Sequence, residues 1–124
     1  MADAEVLIVD DCRMTTLLLR HVLLKEGLDA DTAATGLEGL DRALHGDYRL
    51  LLLDIVLPGI DGVNIARKIR EVRPHDGPEI YLLTGLGEQF RSEMVDEAQA
   101  SGVFFKPVSP SKIVEAARGL LISS

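Results

Sequence analysis

Apolar residues in this chain follow two habits that alternate from end to end. Unbroken runs, Val6-Leu7-Ile8-Val9, Leu50-Leu51-Leu52-Leu53, Ile80-Tyr81-Leu82-Leu83 and Val103-Phe104-Phe105, read as strands buried on both faces, as in parallel sheets. Between them the spacing changes to the three-to-four-residue period of amphipathic helices. A first strand is expected over residues 5 to 9. A helix follows over residues 14 to 25, with Leu18, Leu19, Val22 and Leu23 on one side and Gly27 ending it. Residues 29 to 33 form a short, weak strand suited to a sheet edge. Thr35-Gly36-Leu37-Glu38 has capping-box spacing, and Leu37, Leu40 and Leu44 mark a second helix. The Pro and Gly content of residues 57 to 62 makes a loop. Ile65, Ile69 and Val72 mark a third helix, closed by Pro74 and Pro78, and Phe90, Met94 and Ala98 a fourth, more polar one. Ser109 can cap a last helix that starts with Pro110 and buries Ile113, Ala117, Leu120 and Leu121.

This five-fold strand-helix repeat predicts an α/β fold, a flavodoxin-like (βα)5 doubly wound sandwich. Right-handed crossovers put helices on both faces of a parallel five-stranded sheet, with 2-1-3-4-5 the leading strand order. A length of 124 residues without linker or repeat suits one domain, residues 1–124.

Composition narrows the function. Twenty acidic against 13 basic residues give a net charge of −7, which argues against direct nucleic-acid binding, since phosphate contacts need a basic surface. Cys12 is the only cysteine, so no intrachain disulfide forms and a reducing compartment fits. The opening Met-Ala-Asp-Ala-Glu lacks a signal-peptide core, and no apolar stretch approaches the roughly 20 residues of a membrane span. A soluble, cytoplasmic protein without membrane insertion is expected.

The chemistry-bearing residues stand at strand ends. Asp10-Asp11 follows the first run, Asp54 the third strand and Lys106 the fifth. Ligands of open parallel sheets bind at the carboxyl ends of strands, beside the switch point between strands one and three. Three carboxylates and an ammonium therefore converge on one edge. Clustered carboxylates repel one another and call for a divalent cation; all-oxygen ligands at a water-accessible site suit Mg2+.

With these residues in place the chain resembles a receiver domain of a two-component response regulator, of the chemotaxis-regulator kind. The resemblance runs from about Glu5 to Leu121. It is carried by Val9-Asp10-Asp11, Asp54-Ile55-Val56-Leu57-Pro58-Gly59-Ile60-Asp61-Gly62, Leu83-Thr84-Gly85 and Phe105-Lys106-Pro107, in order and at matching strand ends. It implies that Asp54 accepts a phosphoryl group from a phosphohistidine on a histidine kinase or phosphotransfer protein. Asp11, Asp54 and the Val56 carbonyl would ligate Mg2+ directly, and Asp10 largely through water. Thr84 and Lys106 would bind phosphoryl oxygens, and the Lys106-Pro107 bond would be cis. Such a protein is no conventional turnover enzyme; it catalyses its own phosphorylation and dephosphorylation. No room is left for an output domain after Leu121, so the signal would pass to a separate target, or to an output domain if the chain is part of a larger protein.

Two rival readings remain open. One is an unphosphorylated receiver-like scaffold that only binds protein partners, against which the intact acid set argues. The other is a small flavodoxin-like or phosphatase-like enzyme, against which Asp10-Asp11-Cys12-Arg13 stands where a glycine-rich phosphate loop would be. Cys12 reads as a small space-filling residue whose acidic neighbours disfavour the thiolate. Arg67, Lys68, Arg70 and Arg73 read as a solvated helix face, and His21, His45 and His75 lack ligand spacing.

The sequence also departs from the family. Val103 stands where a switch aromatic is usual, and Gln99-Ala100 replaces the usual Gly-Ala. A weaker or altered response is expected on the surface carrying Arg91, Val95, Gln99, Val103, Phe105 and Lys112, with the first helix as an alternative surface. Strand alternation puts Phe105 on the same side as Val103, so its ring is available there. Val56 and Leu86, at two positions that control hydrolytic water in the family, cannot orient a water, and a long phosphorylated lifetime is expected.

Overall fold

The structure is a computed structural model and describes residues 4–121. The first three residues, part of the start read above as lacking a signal-peptide core, lie outside that range. The elements are β1 (Val6–Val9), α1 (Arg13–Lys25), β2 (Ala30–Ala33), α2 (Gly36–His45), β3 (Leu50–Asp54), α3 (Gly62–Val72), β4 (Glu79–Thr84), a 3₁₀ turn (Gly87–Gln89), α4 (Glu93–Ala98), β5 (Gly102–Phe105) and α5 (Pro110–Leu121). The five strands form one parallel sheet in the order β2-β1-β3-β4-β5, the leading order expected from the strand-helix repeat.

Strand alternation divides the central leucines between two cores. Leu7, Val9, Leu51, Leu53, Ile80 and Leu82 face one cluster with Ile65 and Ile69 of α3. Val6, Ile8, Leu50, Leu52 and Leu83 face the other with Leu19 and Leu23 of α1 and Ile113 and Ala117 of α5. Helices α2, α3 and α4 therefore cover one face, and α1 and α5 the other. No described helix is long and apolar enough to cross a membrane.

Several helix faces differ from the sequence pattern. In α1 the buried stripe is Thr16, Leu19 and Leu23, while Leu18 is exposed and Val22 half-buried. Consecutive leucines 17 to 19 left that phase ambiguous. In α2 Leu37 is 70% exposed, and Gly36, Gly39 and Ala43 face inward. The helix lies so close to β1 that a Cβ at Gly39 would stand 2.6 Å from a Val9 methyl. Val72 is exposed at the end of α3. Phe90 precedes α4 rather than starting it, because the Gly87–Gln89 turn intervenes. The cap of α2 does form: Thr35 Oγ1 accepts from the Glu38 amide at 3.2 Å, while Glu38 Oε1 accepts from Ala34 rather than from Thr35. At α5 the Ser109 carbonyl receives the first helical bonds, and its hydroxyl meets that of Ser111.

Candidate functional site

Parallel register sets the site. Val9 pairs with Leu53, so Asp10 and Asp54 stand side by side where β1 and β3 finish. Thr84 ends β4 and pairs with Phe105, which places Lys106 one residue beyond on the neighbouring strand. The Lys106 amide donates to the Thr84 carbonyl at 2.8 Å, tying these two strand ends together. The Lys106-Pro107 bond is cis. Below the acids the chain turns tightly: the Gly62 amide donates to Ile55 O at 2.7 Å, and a Cβ at Gly62 would stand 2.1 Å from Asp54 O. Only glycine fits there.

Asp10 is 1% and Asp54 4% exposed, whereas Asp11 is open to solvent. Each buried carboxylate uses one oxygen on the backbone. Asp10 Oδ1 accepts from the Cys12 amide at 2.9 Å, and Asp54 Oδ1 from the Val56 amide at 3.1 Å. Their other oxygens share one cation. Lys106 Nζ lies 2.8 Å from Asp10 Oδ2 and 3.0 Å from Asp54 Oδ2, and it donates a well-directed hydrogen bond only to Asp54. Asp10 Oδ2 is thus buried beside a charge but without a directed donor. Carboxylate oxygens of Asp10, Asp11 and Asp54 all lie within 4.8 Å of one another. A cleft of about 320 Å³, lined in part by Asp10, Asp11, Arg13 and Arg20, opens beside them.

Burial pushes the Asp54 carboxyl above the usual aspartate range; the Lys106 hydrogen bond opposes that rise, and the charge of Asp10 adds to it. Burial alone would lower the Lys106 ammonium, but the two carboxylates beside it more than offset this and raise it. The cluster holds two buried carboxylates, one exposed one and a single ammonium. A divalent cation would complete this all-oxygen donor set, which suits Mg2+.

Thr84 is fully buried, and its Oγ1 accepts from the Leu86 amide at 2.9 Å. Gly85 leaves ordinary room: a Cβ there would come no closer than 4.0 Å to Lys106. Val56 is 57% exposed beside Asp54. Leu86 is half-buried and packs against the core cluster on the α2–α4 side of the sheet.

The ends of β1, β3 and β5 bring the three acids and Lys106 together, as their places after the apolar runs predict, and β4 adds Thr84. Cys12 departs from the space-filling role expected of it: it is exposed at the start of α1. Its thiol is shifted down because hydrogen bonds from the Thr15 hydroxyl and amide outweigh the charge of Asp10. Arg73 also leaves the solvated face assigned to it. It turns inward and donates to Ala43 O at 3.1 Å, Gly46 O at 2.6 Å and Asp76 O at 3.2 Å, clamping the loops after α2 and α3.

The model of the response regulator receiver domain matches residues 6–118. The chain belongs to the response regulator receiver family. It is 34% identical over 119 residues to the transcriptional regulatory protein ResD of Bacillus subtilis, covering 96% of this chain and 48% of that protein. It is 35% identical over 117 residues to SrrA, a transcriptional regulatory protein of Staphylococcus aureus, covering 94% and 47%. The chain thus spans about half the length of these relatives. Among solved structures, a CheY-like receiver domain of Methanospirillum hungatei superposes with a TM-score of 0.85 at 29% identity, covering 95% of this chain and 93% of that one. The response regulator TrrA of Thermotoga maritima, solved with Mg(2+)-BeF, superposes with a TM-score of 0.83 at 31% identity, covering 96% and 100%. This receiver domain is therefore a component of two-component signalling rather than a metabolic enzyme.

Proposed function

We propose that Asp54 is the phosphoryl acceptor of this receiver domain and that Asp10, Asp11, Asp54 and the Val56 carbonyl hold Mg2+. The observation that carries the reading is the cluster itself: three carboxylates within 4.8 Å, one of them with a buried oxygen lacking a directed donor. The crystallised Mg(2+)-BeF complex of TrrA supports it. When bound, the cation supplies charge neutralisation for an anionic transition state. The chain's own residues do the rest. A carboxylate oxygen of Asp54 attacks phosphorus as the bond to the donor imidazole nitrogen breaks, and that nitrogen keeps the electron pair. Lys106 already lies 3.0 Å from Asp54 Oδ2 and is placed to take a phosphoryl oxygen. The Thr84 hydroxyl donates to another, and Gly85 leaves it room. Residues 1–124 act as one domain.

The donor is a histidine kinase or a phosphotransfer protein, and the compartment is the cytoplasm. The reader of the signal is a protein target or an output domain outside this chain. Acetyl phosphate with Mg2+ tests the reading by mass. One phosphoryl group should add, and chelation should prevent it. Labelling that survives chelation would overturn the Mg2+ assignment, and no labelling at all would overturn the acceptor reading and favour the scaffold alternative.

A further inference from the structure

The two loops that carry Thr84 and Lys106 are joined outside the site by a pair of rings. Phe105 precedes Lys106 and pairs with Thr84 across β4–β5. Phe90 ends the turn that begins just beyond Thr84. Their ring centroids lie 5.1 Å apart at 85°, an edge-to-face contact. Phe90 is the anchored partner, packed with Met94, Val95 and Val103 against the core. Phe105 is 52% exposed.

A hydrogen-bonded path leads from the site to Phe90. Thr84 Oγ1 holds the Leu86 amide at 2.9 Å, Leu86 O holds the Gln89 amide at 3.2 Å, and Gly87 O holds the Phe90 amide at 3.1 Å. On the other strand Lys106 Nζ is held by Asp10 and Asp54, which fixes the segment that begins at Phe105. The ring pair therefore belongs to an arrangement in which Lys106 faces bare carboxylates and Thr84 serves the backbone. Gly87, at φ +61°, provides a turn that can reorient.

We propose that the Phe90–Phe105 pair is a latch favouring the unphosphorylated form, and that phosphorylation opens it. This rests on Asp54 being the acceptor. A phosphoryl group there draws the Thr84 hydroxyl and Lys106 towards its oxygens. The turn behind Thr84 and the strand end before Lys106 both shift, and the rings part. Val103, with no ring, cannot supply this contact. A contact made in only one of two states biases the equilibrium by its own worth, here roughly two- to tenfold for an edge-to-face pair.

Beryllofluoride with Mg2+ is the probe. With only three phenylalanines and two tyrosines, the aromatic NMR spectrum resolves the ring-to-ring cross-peak of Phe90 and Phe105. The cross-peak should be present in wild type and lost on adding the probe, and Phe90→Leu should bind beryllofluoride about two- to tenfold more tightly. A cross-peak that persists in the bound form would overturn the latch, as would unchanged or weaker binding by Phe90→Leu. The cross-peak experiment uses wild type, so it decides even if the variant folds poorly. Failure of wild type to bind the probe would instead overturn the acceptor reading, and the latch with it.

Discussion

Strands β1 and β3 are buried along their whole length, whereas β5 has no fully buried residue and ends on the half-exposed Phe105. The centre carries Asp10 and Asp54; the edge carries Lys106 and faces Thr84. A carboxylate pair held near one ammonium needs an unyielding frame, because misplacing charges in a desolvated site is costly. A group that must follow a new phosphoryl oxygen needs the opposite. Segments with few buried contacts open at lower free energy than core strands. The contrast teaches that this domain fixes its buried carboxylates at the centre and carries the responding Lys106 on a looser border.

Cavity mutations probe the contrast most strongly. Leu52 is fully buried at the centre, and Leu52→Ala should cost about 2–5 kcal/mol by chemical denaturation. Val103 on β5 is only half-buried, and Val103→Ala should cost about 1 kcal/mol or less. Equal losses would break the comparison.

Lys106→Ala tests the charge that links the two regions. Without Mg2+ it should cost about 1–3 kcal/mol, because Asp10 Oδ2 and Asp54 Oδ2 lose their shared cation. Mg2+ should restore most of that stability and bind at least as tightly as to wild type, since a competing charge has left. Titration of Mg2+ followed by thermal denaturation checks both points. Phosphorylation should be impaired.

A smaller effect comes from pH. The folded Asp54 carboxyl titrates above its ordinary value of 3.8, so folding favours the protonated form. Its stabilising contribution is complete below pH 3.8 and disappears as pH rises through the raised folded value. At pH 7 in chelator, Asp54→Asn should therefore melt above wild type, and the gain should shrink as pH falls towards 4. A gain that grows on acidification would show the wrong sign.

The smallest effect concerns the lifetime of the phosphoryl group. Val56 is exposed beside Asp54 and cannot orient a water. Val56→Asn should shorten the phosphorylated lifetime by about threefold or more, measured as phosphate release, if positioning of water limits the wild type. Leu86 is a poorer place for the same test, because a polar residue there would also disturb its packing against the core.

What the sequence revealed follows this division. The central strands were legible because unbroken apolar runs have one physical explanation, and the acids after them had to share an edge. Helix phase was harder to read. Leu37 looked like core, but the close approach of α2 to β1 gives that face to Gly36, Gly39 and Ala43. Arg73 reads as a surface cation because nothing local marks carbonyls contributed by α2 and its following loop as its partners. The Phe90–Phe105 contact was likewise hidden, since it joins residues on different elements. Helix α4 starts later than the apolar spacing suggests because the turn before it interrupts the helical period.

The most direct test of a fixed centre and a responsive border is a residue-by-residue amide NMR comparison with and without Mg2+ and beryllofluoride. Beyond the residues flanking the acids, the largest shifts should fall in segments 84 to 91 and 102 to 107, while amides 6 to 8 and 50 to 52 move little. Changes that run along β1 and β3 as strongly as along the border, or that stop at the acids, would contradict the account.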